Sequence, residues 1–124
     1  MILLDANILL EILIAGRPRS DTVMQWFEHN ESPCTISLLT VHLVLHFGIK
    51  DGLSIKTLQT FLADYAKEAL LPEDYAMALR LLKGPDHEDA LQLAVAERTD
   101  CTAIVTLDKS FAKTYQHLIP FTVL

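Results

Sequence analysis

Three aspartates could carry chemistry in this chain: Asp5, Asp89 and Asp108, spread across most of its 124 residues. Asp5 closes the apolar run Met1 to Leu4 and stands two residues before Asn7. Asp108 follows a second such run, Ala103 to Thr106, and Asp89 opens a long apolar stretch. Carboxylates drawn together from distant segments repel, and in water-poor surroundings one or more of them protonates. A divalent cation resolves that conflict, and hard carboxylate oxygens suit Mg²⁺ or Mn²⁺. Such a centre activates a water and stabilises charge on a phosphodiester. The same acids also read as separate helix caps or first-turn acids. Asp86 and Glu88 show how common such acids are here.

A parallel sheet would bring the three together. Met1 to Leu4 reads as a short buried strand, followed by a tight turn and a helix beginning near Asn7. A continuous apolar strand feeding a helix belongs to a parallel α/β sheet. The carboxyl ends of such strands form the edge where ligands bind. Ser20 can cap a second helix that buries Val23, Trp26 and Phe27. A strand is expected from Cys34 to Ser37, with Ser37 capping a helix from Leu38 to about Phe47. Ser54 opens a helix with Leu58, Phe61, Leu62 and Tyr65 on one face. Ala69 to Leu71 reads as a short strand, and Pro72, Glu73 and Asp74 as a first helical turn. After the stop at Gly84 and Pro85, Asp86 caps a helix through about Thr99 that is apolar nearly all round. Ala103 to Thr106 is a strand, Asp108 starts a short helix, and Phe121 to Leu124 is a last strand. The alternation predicts one α/β domain over residues 1–124. It is a three-layer sandwich whose central parallel sheet has four to five strands, with helices on both faces.

At 51% hydrophobic the chain is rich enough in core residues to exclude disorder. A formal net charge of -6 argues against a broad electrostatic grip on nucleic acid. It leaves room for a local basic patch, a metal cluster or a basic partner. Cys34 and Cys101 read as small core residues, not as a disulfide framework. No stretch reaches the roughly 18 apolar residues of a membrane span. Residues 1–16 lack the basic start of a signal peptide. A cytoplasmic protein with no membrane contact is expected.

The stretches LLDANILLEIL and DHEDALQLAVAERTDCTAIVTLDKSF resemble the two halves of PIN-domain proteins. In that family the first strand ends in Asp with Asn two residues on, a second Asp opens a buried helix, and T-x-D follows the next strand. The resemblance runs from residue 1 to about Phe111, and the small size is similar to the VapC-type toxins. It implies a metal-dependent endoribonuclease, usually a homodimer and often neutralised by an antitoxin. It would place the acidic, metal-holding cluster on Asp5, Asp89 and Asp108, with Asn7 and Thr106 as supporting residues that fix geometry.

One departure stands out. The family's helix after strand two usually carries a Glu, in a pattern like S-x-L-T-x-x-E. Here the stretch is Ser37-Leu38-Leu39-Thr40-Val41-His42-Leu43, and no acid occurs between Ser37 and Lys50. His42, at or next to the Glu position, is therefore a candidate catalytic residue. A neutral imidazole there suits Mn²⁺, Fe²⁺ or Zn²⁺ better than Mg²⁺. His46 follows at i+4; both histidines also read as packing on an apolar helix. Arg17, Arg19 and Lys109 are candidate RNA contacts that could hold phosphates near the metal, or isolated surface cations. A catalytically weakened PIN-like module that binds RNA or protein is the alternative, and His42 favours it. A receiver-like phosphoryl-transfer domain lacks its mid-chain aspartate, and the D-x-D of haloacid dehalogenases is missing because position 7 is Asn.

Overall fold

β1 (Ile2–Leu4) is apolar throughout because both of its faces are covered. In this computed structural model, which describes residues 1–124, Leu3 and Leu4 are fully buried in separate clusters on opposite sides of the sheet. β1 is the central strand. It pairs with β2 (Cys34–Ser37) on one side and β4 (Ala103–Thr106) on the other. β3 (Ala66–Glu68) and β5 (Phe121–Val123) complete the order β3-β2-β1-β4-β5, with every pairing parallel.

On one face lie α1 (Ala6–Leu13), α2 (Ser20–His29), α3 (Leu38–Lys50) and α4 (Ile55–Ala63), around Leu4, Ile8, Ile36, Val44 and Val105. On the other, α6 (His87–Arg98) and α7 (Lys109–Tyr115) bury Leu93, Phe111 and Tyr115 against Leu3 and Ile104. α5 (Pro72–Leu81) backs onto α6, where Ala78, Ala90 and Ala94 let the two helices approach closely. Arg98 fastens that pair, its Nε donating to the buried Asp74 at 2.7 Å. α3 and α4 also pack tightly: a Cβ on Gly48 would stand 2.5 Å from the Leu58 Cδ2. No helix is long and apolar enough to cross a membrane.

The chain steps outward from β1 through β2 to β3, then returns to add β4 and β5 on the other side of β1. Strand order therefore reverses between β1 and β4. In open α/β sheets that reversal leaves a crevice at the carboxyl edge.

The single α/β sandwich expected from the sequence is the one observed, with five strands. Local expectations differ in four places. The strand expected at Ala69 to Leu71 lies instead at Ala66–Glu68, on the sheet's edge, where polar side chains give no hydrophobic signal. Leu70 and Leu71 are exposed, and Leu71 is the residue before α5. α4 stops at Ala63, short of Tyr65. Ser20 caps nothing: it is already helical, and Arg19 holds the cap position without a side-chain bond. α3 continues past Phe47 to Lys50.

Candidate active site

Asp5 is both the residue that ends β1 and the cap of α1. Its Oδ1 accepts from the Ala6 N–H at 2.7 Å. Its Oδ2 accepts from the Thr106 hydroxyl at 2.7 Å and the Asn7 amide at 3.1 Å. Thr106, wholly buried at the end of β4, accepts in turn from the Asp108 N–H at 3.0 Å and from Asn7 at 3.2 Å. The Asn7 Oδ1 accepts from the Leu107 N–H at 3.1 Å. Asn7 and Thr106 thus lace the end of β1 to the end of β4 and fix the Asp5 carboxylate between them.

Asp108 caps α7, its Oδ1 accepting from the Ser110 and Phe111 N–H groups at 2.9 and 3.1 Å. Asp89 lies in the first turn of α6, where Asp86 accepts from its N–H at 3.2 Å. Burial, and then the negative charges of Asp86, Asp5 and Asp108, push the Asp89 carboxyl from its ordinary 3.8 to about 8. Asp5 is also raised. Burial is the main cause, partly offset by the Thr106 and Ala6 hydrogen bonds and reinforced by Asp108 and Asp86. The structure therefore brings Asp5, Asp89 and Asp108 into one electrostatic neighbourhood at the β1/β4 reversal.

Asp86 joins them, although sequence spacing marks it only as a cap. It is a cap, but its charge is also the largest through-space influence on Asp89. The available signal was the i, i+3 spacing, which puts both carboxylates on one side of the first turn.

His42 does not figure among the charges or hydrogen bonds that act on Asp5 or Asp89. It is exposed on α3, with its ring stacked on His46 at a centroid distance of 6.1 Å. Thr40 looks toward α6, where Gln92 bonds it. His42 lies two residues on, about 200° round the helix. Beyond Thr40, Leu43 is half-buried, Val44 lies in the core on the α1–α4 side of the sheet, and α3 carries no acid.

An open groove of about 550 Å³ adjoins the acids, lined by Asn7, Leu10, Glu11, Arg17, Arg19, Leu107, Asp108, Lys109 and Ser110. All three candidate RNA-contacting cations are on it. Arg19 is the best anchored: its N–H donates to the buried Glu11 carboxylate at 2.7 Å and its guanidinium to the Leu107 carbonyl at 3.3 Å.

The donor chemistry fits a hard divalent ion, since every candidate ligand is a carboxylate. As the side chains stand, no three His, Cys, Asp or Glu residues close round one position. The acids share a charge field without forming a cage, and an ion would have to draw them in.

The sequence profile of the PIN domain matches residues 2–116. No curated protein sequence matches the chain. Among solved structures, the sarcin-ricin loop cleaving toxin VapC20 of Mycobacterium tuberculosis superposes with a TM-score of 0.78 at 14% identity. That match covers 91% of this chain and 94% of the toxin. A toxin–antitoxin complex from Klebsiella pneumoniae gives 0.76 at 22% identity, covering 99% and 97% of the two chains. FitAcB from Neisseria gonorrhoeae gives 0.75 at 19%, covering 98% and 96%. At these identities the likeness is one of fold.

Proposed function

This chain belongs to the PIN domain family, and from that premise we propose that it is a metal-dependent endoribonuclease cutting single-stranded RNA, the toxin of a toxin–antitoxin pair. What carries the proposal is the electrostatic influence that Asp5, Asp89 and Asp108, from three distant segments, exert on one another near the point where strand order reverses. Similarity of fold to one toxin and to a chain of a toxin–antitoxin complex supports the toxin role.

Mg²⁺ or Mn²⁺ held by those three acids would supply an activated water and positive charge for the phosphodiester oxygens. The protein's own part is positioning. Thr106 and Asn7 aim the Asp5 carboxylate in advance. Asp89 would have to give up its proton to hold the ion, and the Asp86 charge beside it adds to the negative field. Arg17, Arg19 and Lys109 hold flanking phosphates in the adjoining groove, a local exception to a net charge of -6. An antitoxin and a second copy of the chain are the proposed protein partners. The homodimer is supported by Tyr75 and Leu79, exposed one turn apart on α5, with Leu71 exposed just before it. A cytoplasmic location follows from an RNA substrate.

A second reading is favoured by one observation: α3 offers the site no acid. On that reading the chain binds RNA or protein and turns over slowly or not at all. The test is a fluorogenic single-stranded RNA incubated with Mn²⁺, with Mg²⁺ and with EDTA. The proposal expects metal-dependent cleavage that EDTA and Asp5→Asn both abolish. RNA binding without cleavage under any metal would favour the second reading, and cleavage surviving EDTA would refute the first.

A further inference from the structure

Gln92 is the one polar residue among the six buried on α6. It is 2% exposed, and both ends of its amide are engaged. The Ser37 hydroxyl donates to its Oε1 at 2.6 Å, and its Nε2 donates to the Thr40 hydroxyl oxygen at 2.7 Å. Ser37 and Thr40 are wholly buried, and the Thr40 N–H donates to the Ser37 hydroxyl oxygen at 3.1 Å, closing a ring of three residues. Ser37 ends β2 and caps α3, so this ring pins α6 to the corner where β2 turns into α3.

A leucine would fill the same space against its apolar neighbours without fixing how the helix is rotated. A fully satisfied buried network specifies a single arrangement. Asp89 lies three residues ahead of Gln92, on the same side of α6. Ser37 belongs to the strand next to β1, whose end carries Asp5. With Asp5, Asp89 and Asp108 taken as the metal-holding acids proposed above, we propose that Gln92 is a positioning residue. By bonding Ser37 and Thr40 it sets the rotation of α6 about its axis, and so where Asp89 stands relative to Asp5.

The test is calorimetric titration of the whole chain with Mn²⁺, paired with thermal melts, on four proteins: wild type, Gln92→Leu, Thr40→Val/Gln92→Leu and Arg98→Met. Gln92→Leu should bind Mn²⁺ about 10-fold more weakly, the lower end of what loss of an orienting partner costs. Gln92→Leu strands the Ser37 and Thr40 hydroxyls; the double variant removes the second, so its melting temperature should recover part of the loss. Its Mn²⁺ affinity should stay low. Arg98→Met, at the far end of the same helix, should lower the melting temperature and leave Mn²⁺ affinity unchanged. If Gln92→Leu does not fold, the double variant carries the comparison. Wild-type affinity in Gln92→Leu, or affinity that returns with stability in the double variant, would make Gln92 a packing residue only and overturn the proposal. No saturable Mn²⁺ binding to wild type would remove the metal site itself, and Gln92's role with it, a result distinct from either.

Discussion

Asp89 keeps its proton near neutral pH unless something displaces it. Its folded-state value of about 8 lies above its ordinary 3.8, so the folded chain holds this proton more tightly than the unfolded one. Stability from this group is therefore fullest below about pH 4 and is lost as pH rises toward 8. Melting of the metal-free protein should fall between pH 5 and pH 8, and Asp89→Asn should flatten that slope. Mn²⁺ affinity should run the other way and rise up to about pH 8, because the ligand must first deprotonate. Asp5→Asn should cut cleavage by on the order of 100-fold or more; it relieves repulsion but sets an amide N–H₂ against one of the donors to Asp5, so a modest drop in melting temperature is expected with the fold retained. The acid missing from α3 gives a third test. Leu43→Glu, on the side that continues from Thr40, should tighten Mg²⁺ binding roughly tenfold, whereas His42→Glu should not change it. An equal effect of both, by calorimetry, would mean that positions 42 and 43 reach the acids alike. The three aspartates were legible in the sequence because Asp5 and Asp108 follow apolar runs and Asp89 opens one. The phase of α3 was not: LLTVHLVLHFGIK is apolar on nearly every side, so periodicity cannot say which face meets α6.

At the scale of elements, the helices declared themselves and one strand did not. Ser37, Ser54, Asp86 and Asp108 all cap as their residue types require. β3 is Ala-Lys-Glu, and nothing in its hydropathy says strand; it exists because Thr35 to Ser37 offer a free edge to pair with. The seam between α3 and α4 was equally silent, since Gly48 reads as a helix stop and is in fact an interior contact. Alanine at 48 would favour the helix by about 1 kcal/mol. It would also drive a methyl into the fully buried Leu58, an overpacking that costs about 1–3 kcal/mol. Gly48→Ala should therefore lower the melting temperature slightly, and adding Leu58→Val should recover part of the loss. A more stable Gly48→Ala would show that Leu58 has room to turn.

For the whole molecule, charge and topology were both readable, and their meeting point was not. The sequence shows an acidic chain; only the fold places Arg17, Arg19 and Lys109 along one groove beside the acids. Arg17→Ala with Lys109→Ala should weaken RNA binding and lessen its dependence on salt, measured by fluorescence anisotropy from low to high KCl. An unchanged salt slope would send the RNA elsewhere on the surface. The central place of β1 has one more consequence, which concerns time. A ribosome releases β1 first, yet its partner Ile104 for Leu3 lies roughly 100 residues downstream. At roughly 5–20 residues per second that is an interval on the order of 5–20 s. Throughout it the first strand has β2 on one flank at most, and Asp5 has neither Thr106 nor Asp108 beside it. A nascent chain carries one of the three acids until Asp89 is made, and completes the set only with Asp108. Any chemistry that needs all three waits for that residue. A partner produced alongside gains that interval to be waiting.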